Sequence, residues 1–263
     1  MEHTKRYTVI TGASSGIGYE AAKAFADRSK NLIIAARRTE NLETLKREIA
    51  EKHPALDVVI RTADLSMLEN VYQFYSSLKG FQLETWVNNA GVGNYDSVAQ
   101  QDLEKIDTML RLNVEALTIL SSLFVRDYKD VPGTQLINLS SCGGYTIVPT
   151  AVTYCATKFY VSTFTEGLAW ELIESGAKMR AKVLAPAATQ TEFGKKANNV
   201  DTYNYDKAFG TYHTSRQMAE FLMKLYDSGS TLGIVDRETF QFELRLPMFP
   251  YANSSTHNQY PSK

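Results

Sequence analysis

The 263-residue chain is 44% hydrophobic and 22% charged, enough apolar material for a large core in one α/β domain and too short for a second full domain. A net charge of −1 and a pI near 6.4 exclude the global basic field that attracts nucleic acid or an anionic membrane. No apolar run approaches the roughly 18 residues of a membrane span, and the N-terminal "MEHTKRYT" lacks the apolar stretch of a signal peptide. We therefore expect a cytoplasmic protein with no nucleic-acid or membrane partner.

Seven short apolar runs predict buried strands, and most segments between them have helical periodicity. The strands are predicted at about 7–11, 31–36, 56–62, 84–88, 134–140, 179–185 and 231–236. The clearest predicted helices cover 39–52, 100–128 and 154–175. This alternation predicts a parallel sheet with helices on both faces. We assign residues 1–250 to this single domain and residues 251–263 to a loose polar tail.

The first predicted strand runs into the glycine-rich turn "TGASSGIG". Gly12, Gly16 and Gly18 lie between that strand and a helix start, where unpaired N–H groups and the positive end of the helix dipole favour an anion. A dinucleotide pyrophosphate is the ligand that this turn predicts. The spacing differs from the general G-x-G-x-x-G fingerprint, so glycines that serve only tight packing stay an alternative.

Three further motifs follow in chain order: "NNAG" at 88–91, "LSS" at 139–141 and "YCATK" at 154–158. Together with the glycine turn they resemble the short-chain dehydrogenase/reductase family in order and spacing, over roughly residues 5–190. The resemblance implies a Rossmann-type doubly wound sheet and a nicotinamide cofactor. It also implies hydride transfer between that cofactor and a carbonyl or alcohol.

Tyr154 and Lys158 lie one helical turn apart, on one face of a predicted helix. Reducing a carbonyl needs an acid near neutrality, and a cation beside Tyr154 would lower the tyrosine pKa from about 10. The resemblance implies that Lys158 also binds the nicotinamide ribose, that Ser141 holds the substrate oxygen, and that the Asn113 carbonyl anchors a water leading to Lys158. An ordinary helix surface, strand end and solvated asparagine are the alternatives.

The second predicted strand ends in "AARR", which bears on the choice of cofactor. By similarity to the family, Ala36 occupies the position of a ribose-binding carboxylate, and Arg37 follows it with a fork suited to two phosphate oxygens. Ser14 would add a hydroxyl donor. These residues predict NADP(H) rather than NAD(H), and hence a reductive direction; a solvated strand end is the alternative.

Two other segments complete the predicted cofactor site. Asp64 and Leu65 match the family's adenine contact, although Asp64 would serve equally as a helix N-cap. In "LAPAATQTEF" Ala187 replaces the family's glycine, while Thr189 and Thr191 match the contacts to the carboxamide and the phosphate. The predicted cofactor-binding residues are Gly12, Ser14, Ser15, Gly16, Ile17, Gly18, Arg37, Arg38, Asp64, Leu65, Asn89, Ala90, Gly91, Tyr154, Lys158, Pro186, Thr189 and Thr191.

Residues 189–212 are aromatic and poorly periodic, which predicts a mobile flap over the substrate. The predicted substrate residues are Ser141, Tyr145, Tyr154 and Phe193, with Tyr203, Tyr205 and Phe209 as further candidates to line the pocket. Their aromatic character favours a hydrophobic aldehyde, ketone or diketone. Two alternatives remain. One is NADP-dependent oxidation of a hydroxy acid or sugar alcohol clamped by Lys195 and Lys196, and the other is a non-enzymatic dinucleotide sensor.

Cys142 and Cys155 form neither a disulfide framework nor a metal-ligand set, and the four histidines fall in no motif. We interpret both cysteines as small buried hydrophobes and expect no metal. The helices at 100–128 and 154–175 are apolar over more than a core-facing stripe. Since similar family members pair these helices, we expect a homodimer or homotetramer.

Overall fold

The computed structural model describes residues 5–252 of the chain. Its strands are β1 (Arg6–Thr11), β2 (Asn31–Ala36), β3 (Val58–Thr62), β4 (Gln82–Asn88), β5 (Gln135–Leu139), β6 (Arg180–Ala185), β7 (Thr189–Gln190), β8 (His213–Thr214), β9 (Leu232–Val235) and β10 (Phe242–Arg245). Its α-helices are α1 (Gly16–Ala26), α2 (Thr39–Lys52), α3 (Leu68–Ser76), α4 (Leu103–Leu110), α5 (Leu117–Tyr128), α6 (Val152–Glu174), α7 (Phe193–Ala197), α8 (Tyr205–Phe209) and α9 (Ser215–Asp227). A π-helical segment, Arg111–Ala116, joins α4 to α5.

Eight strands form one sheet in the order β10-β9-β6-β5-β4-β1-β2-β3. All seven predicted strands are present and pair in parallel, which confirms the doubly wound sheet. The sequence analysis missed β10, which pairs antiparallel with β9 at the sheet edge. From β1 the sheet grows in one direction through β2 and β3 and in the other direction from β4 onward. The connections after β1 and β4 therefore run to opposite faces of the sheet, and a crevice opens at the carboxyl ends of these two strands.

Side chains alternate between two cores because successive strand residues face opposite sides. Ile10 and Ile34 pack with α1, α2 and α9 on one face. Val9 and Ile33 pack with α3, α5 and α6 on the other, around Trp86. Near-continuous apolar strands are typical of a sheet covered on both faces.

The helical stretch Leu103–Tyr128 is long and apolar enough, by length and composition alone, to cross a membrane. The expectation that no segment reaches this threshold is therefore wrong. Its apolar composition has a packing explanation in the structure, because Leu117, Leu120 and Phe124 are buried and Phe124 lies 5.6 Å from Trp86 between ring centroids.

Residues 189–212 contain two five-residue helices, α7 and α8, instead of an unstructured loop. Tyr205, Tyr203 and Phe209 pack together on this segment. Most of the predicted loose tail, 253–263, lies outside the described residues. Tyr251, at its start, is packed: its ring stacks on Trp170 at 5.4 Å and its hydroxyl donates to Glu174 at 2.7 Å.

Candidate active site

A cavity of about 450 Å³ lies at the carboxyl edge of the sheet, where the loops after β1 to β6 meet. Of the predicted cofactor-binding residues all but Gly18 line it, as do Ser141 and Phe193. The predicted site residues that line it come from the loops after β1 to β6 and from α1, α6 and α7, and the parallel strands bring these loops together because their carboxyl ends share one edge. Among the described residues, no group of three His, Cys, Asp or Glu side chains could hold a metal ion.

The glycine turn leaves the start of α1 open toward this cavity. Ser15, the N-cap residue, makes no side-chain capping hydrogen bond, and the first turn of α1 has no acidic residue. Gly12 has φ of 68°, and a Cβ there would lie 2.8 Å from the Ala90 Cα atom, so only glycine fits. The uncapped N–H groups and the helix dipole suit a pyrophosphate.

Gly18 does not line the cavity and is closely packed, and its cofactor contact stays a prediction. A Cβ at Gly18 would lie 2.3 Å from Asn89 Nδ2. That amide donates to the carbonyls of Thr11 at 2.9 Å and Gly12 at 3.2 Å. The "NNAG" motif thus ties the end of β4 to the glycine turn.

Arg37 and Arg38, which follow β2, take different positions at the predicted adenosine end of the cavity. The Arg37 side chain is 59% exposed and lies 3.8 Å from the Asp64 carboxylate. Arg38 folds over the glycine turn instead, donating to Ser15 Oγ at 2.8 Å and to Ser14 Oγ at 3.3 Å, and pairing with Glu192 at 2.9 Å. Ser14 is therefore a hydrogen-bond partner of Arg38 in this structure, and its role as a hydroxyl donor to the phosphate stays a prediction.

Asp64 is not a helix N-cap, because α3 begins at Leu68 and Met67 is its cap. Its carboxylate accepts instead from the backbone N–H of Ser66 at 3.0 Å and from the Ser66 hydroxyl at 2.7 Å. Burial raises the pKa of Asp64, but the Ser66 hydrogen bonds and Arg37 outweigh it and lower the pKa overall. Leu65 beside it is buried and lines the same end of the cavity.

Ser140 and Ser141 have separate tasks at the end of β5. The Ser140 hydroxyl is buried, donates to the Lys158 carbonyl at 2.9 Å and lies 2.7 Å from Ser162 Oγ. Both serines line the cavity, and the Ser141 hydroxyl accepts from the Gly143 N–H at 3.0 Å. Because the Ser140 hydroxyl is engaged with Lys158 and Ser162, Ser141 stays the predicted substrate-facing serine.

Tyr154 and Lys158 lie on the first turns of α6, and the Lys158 ammonium is 5.8 Å from the centre of the Tyr154 ring. Burial raises the pKa of Tyr154 well above 10, Tyr95 adds to the shift, and a hydrogen bond from Ser141 opposes it. Burial lowers the pKa of Lys158 to about 8. The pKa of Tyr154 is thus raised by its burial, and the lowering expected from Lys158 together with an oxidised nicotinamide stays a prediction. Tyr154 holds its proton at neutral pH.

Asn113 does not line the cavity, and hydrogen bonds hold its side chain in place outside the cavity. The amide accepts from the Val92 N–H at 3.0 Å and donates to the Val92 carbonyl at 2.8 Å and to Thr157 at 3.1 Å. It lies in the π-helical segment, a departure from α-helix that is often found at functional sites. A Cβ on Gly91 would lie 3.2 Å from Asn113 Oδ1 and 3.5 Å from Lys158 Nζ, so Asn113 and Lys158 both border this glycine.

The loop after β6 closes the cavity from the other side. The Pro186 carbonyl accepts from the Cys142 N–H at 2.8 Å, which fixes this loop beside Ser141. Ala187 packs partly buried against the core, at the position where the family has glycine. Thr189 donates to the Ala187 carbonyl at 2.9 Å, and Thr191 lies against the glycine turn, 3.0 Å from where a Gly16 Cβ would be.

The substrate end has an aromatic wall made of Tyr95, Tyr154 and Phe193. The Tyr154 ring lies 5.5 Å from Phe193 and 6.2 Å from Tyr95. Tyr145, predicted to join this wall, lies elsewhere: its hydroxyl donates to Glu166 at 2.6 Å and its ring stacks on Phe249 at 5.4 Å. Tyr203, Tyr205 and Phe209 do line the cavity, from the 189–212 segment.

Sequence analysis missed several residues that line this end, namely Val92, Tyr95, Val148, Ala151, Arg237 and Phe240. Tyr95 follows the "NNAG" motif closely enough to be found, whereas Arg237 and Phe240 come from the turn after β9. Cys142 and Cys155 also line the cavity, although Cys155 is buried as predicted and Cys142 is only partly so. The Lys195–Lys196 clamp is not free: Lys196 pairs with Glu192 at 2.7 Å.

The chain is similar in sequence and fold to known proteins. The sequence profile of the family described as short chain dehydrogenase matches residues 6–201. The human protein named Dehydrogenase/reductase SDR family member 11 is 30% identical over 213 residues, covering 79% of this chain and 81% of that one. Sulfoacetaldehyde reductase 2 of Chromohalobacter salexigens is 33% identical over 191 residues, covering 70% and 73%. A solved short-chain dehydrogenase from Sphingobium yanoikuyae, in complex with NADPH, has a TM-score of 0.79 at 26% identity, with 87% of each chain covered.

Proposed function

The chain belongs to the short-chain dehydrogenase family, and from that premise we propose that it is an NADP(H)-dependent reductase of hydrophobic carbonyl compounds. Membership in this family by itself identifies the protein as an oxidoreductase that acts on alcohol or carbonyl groups with a nicotinamide dinucleotide. The observation that carries the proposal is the meeting of Ser141, Tyr154 and Lys158 in one cavity with the uncapped start of α1.

The residues present fit a dinucleotide. The N–H groups at the start of α1 would bind the pyrophosphate, and the loops after β4 and β6 would flank the nicotinamide. When bound, the nicotinamide supplies the hydride that adds to the carbonyl carbon. Lys158 offers a cation toward the ribose, since its ammonium borders Gly91 and has a single backbone acceptor, the Leu139 carbonyl at 2.9 Å, among the described residues.

The protein's own contribution to reduction is a positioned proton. Ser141 donates a hydrogen bond to the substrate oxygen and holds it beside Tyr154. As negative charge develops on that oxygen, the Tyr154 O–H bond breaks and its proton passes to the oxygen, giving the alcohol. Lys158 stabilises the tyrosinate left behind.

Preference for NADP(H) is supported by the charge at the adenosine end. Ala36 offers no carboxylate to the ribose hydroxyls, and Arg37 and Arg38 both line the cavity there with Ser14. Guanidinium groups bind phosphate through paired N–H groups. The solved relative from Sphingobium yanoikuyae, whose complex contains NADPH, lends further support.

A hydrophobic substrate body is supported by the aromatic wall beside Tyr154. The reductase name of the Chromohalobacter salexigens relative supports the same direction of reaction. We also propose a cytoplasmic homo-oligomer that pairs through α4 to α6. Large exposed hydrophobics on these helices support it: Leu103, Leu110, Val152, Tyr160 and Ile173.

Titration of NADPH and NADH, followed by turnover of an aldehyde and ketone panel, tests the proposal. We expect NADPH to bind about ten- to a hundredfold tighter than NADH, which is about 1.5–3 kcal/mol for a charge-assisted phosphate contact. Arg37→Ala should remove most of that difference and leave NADH binding unchanged. Binding is read by nucleotide fluorescence and turnover by absorbance at the reduced nicotinamide band.

Arg47→Ala is the matched control, since Arg47 is exposed on α2 and within residues 5–252 its side chain hydrogen-bonds only Thr44, at 3.4 Å. Equal affinities for the two nucleotides in the wild type would refute the NADP preference alone. Nucleotide binding without reduction of any carbonyl in the panel would refute the reductase.

A further inference from the structure

The turn between β9 and β10 brings a cation to the active-site cavity that the mechanism does not use. Arg237 and Phe240 both lie on this turn and both line the cavity. In the sheet, β9 pairs with β6, with Ile234 opposite Ala185. The carboxyl end of β9 therefore lies beside Pro186, whose carbonyl is bonded to the backbone of Cys142.

The strand order locates Arg237 along the cavity. Arg37 and Asp64 follow β2 and β3, at one extreme of the parallel strands, and Arg237 follows β9 at the other. Ser141 follows β5, between them and nearer to Arg237. Burial raises the pKa of the Cys142 thiol while the Arg237 charge opposes the shift, which agrees with their closeness. Arg237 thus lies at the substrate end, away from the adenosine end.

The turn itself has a defined shape. The Asp236 carboxylate accepts from the N–H groups of Glu238 at 2.9 Å and Thr239 at 2.8 Å, and from the Thr239 hydroxyl at 3.0 Å. Asp236 N–H donates to the Gln241 carbonyl and Phe240 N–H to the Asp236 carbonyl, at 2.9 and 3.0 Å. Phe240 is held at φ of 56°, a left-handed conformation that is uncommon for a bulky residue. Asp236 is thereby engaged within the turn and is not the partner of Arg237.

A comparison of the charged groups that line the cavity singles out Arg237. Asp64 pairs with Arg37 at 3.8 Å, and Glu192 pairs with Arg38 at 2.9 Å and Lys196 at 2.7 Å. Between residues 5 and 252, no carboxylate lies within 4.0 Å of the Arg237 guanidinium. Among the described residues, the cavity therefore has paired charges at the adenosine end and two cations without a carboxylate partner at the substrate end: Lys158, which the mechanism uses, and Arg237, which is exposed.

We propose that Arg237 binds an anionic group of the substrate, so that the enzyme takes carbonyl compounds carrying a carboxylate or sulfonate beyond the reacting carbon. The inference rests on the proposed carbonyl reduction and narrows its substrate class. The apolar body of such a substrate contacts Tyr95 and Phe193, the carbonyl oxygen contacts Ser141 and Tyr154, and the oxyanion accepts two N–H groups from the guanidinium fork. A neutral analogue lacks this contact.

Matched pairs of substrates test the proposal: benzoylformate, 3-benzoylpropionate and 4-benzoylbutyrate, each beside its methyl ester, with NADPH. For at least one pair we expect the wild type to have a kcat/KM about ten- to a hundredfold higher for the acid, mainly through KM. Arg237→Ala should remove this preference and leave the esters within about threefold of wild type. Arg237→Lys should keep part of it, since charge remains without the fork.

Arg216→Ala is the control, because Arg216 is exposed on α9 and pairs with Glu220 away from the cavity. Binding is also measured without turnover, by titrating the same acids into NADP⁺-loaded protein and following quenching of tryptophan and tyrosine fluorescence. Acid binding that Arg237→Ala abolishes supports the site even where no substrate is reduced, an outcome that would refute only the reductase. Esters that bind and react as well as every acid in the wild type would overturn the proposal and leave the reductase standing.

Discussion

Two buried lysines in this protein look alike in isolation and differ in their surroundings. Lys158 on α6 and Lys182 on β6 are 7% and 1% exposed, and burial lowers the pKa of each to about 8. Lys182 donates to three carbonyls, those of Leu225 at 2.7 Å, Tyr226 at 2.9 Å and Ser228 at 2.8 Å. Lys158 donates to the Leu139 carbonyl and lines the cavity beside Tyr154.

This comparison shows that a lowered lysine pKa reports burial, whereas the role of the lysine depends on what its N–H groups bind. Lys182 donates all three N–H groups to carbonyls at the end of α9. These carbonyls lack helical partners, and the helix dipole is negative there. Lys158 keeps donors for a ligand in the cavity. One lysine therefore stabilises the fold, and the other is the lysine that we propose for the chemistry.

Replacing the catalytic lysine should have the largest effect on activity. We expect Lys158→Met to lower kcat/KM about 10²- to 10⁴-fold, because the tyrosinate loses its cation and the ribose its donor. Removing a buried charge that has one protein acceptor should change the free energy of unfolding by less than about 2 kcal/mol. Steady-state kinetics and urea unfolding measure the two quantities. Activity above a tenth of wild type would contradict the role of Lys158.

Replacing the capping lysine should reverse the pattern. Lys182→Met leaves three buried carbonyls without a donor, so we expect it to lower the free energy of unfolding by about 2–4 kcal/mol. The kcat/KM of the folded fraction should stay within about threefold of wild type. A loss of activity without a loss of stability would show that the two lysines are not separated as we describe.

The same variant isolates a smaller, pH-dependent effect. A lysine with a pKa of about 8 when folded and about 10.4 when unfolded binds its proton less readily in the folded state, so between these values the unfolded state carries more protons. The free energy of unfolding of the wild type relative to Lys182→Met should rise with pH from about 8 to 10, by at most about 1.4 kcal/mol per pH unit. A flat difference would mean that the three carbonyls cancel the cost of burial.

Much of the sheet and the cofactor end could be predicted because their signals are local. Strands such as Asn31–Ala36 are near-continuous apolar runs, and motifs at strand ends meet wherever parallel strands share an edge. The resemblance to the family implied that Ser141, Tyr154 and Lys158 belong to one site, and all three line one cavity. Tyr145 was misplaced because its partner Glu166 lies 21 residues along the chain, on α6, and no local pattern pairs them.

The substrate end depends on tertiary pairing that no short window contains. Arg237 reaches the cavity only because β9 pairs with β6, and β10 was missed because a short edge strand has weak apolar periodicity. The different positions of Arg37 and Arg38 could not be predicted for a similar reason. Glu192, which holds Arg38 over the glycine turn, comes from the distant 189–212 segment.

Tyr154→Phe tests the central claim most directly, because it removes one hydroxyl from the cavity and keeps the ring that contacts Tyr95 and Phe193. Single-turnover oxidation of bound NADPH by a reducible ketone is measured beside NADPH affinity. We expect NADPH affinity to stay within about threefold of wild type, and the rate to fall at least about 10²-fold with the loss of the proton donor. A near-normal rate in Tyr154→Phe would contradict Tyr154 as the acid and with it the reduction mechanism.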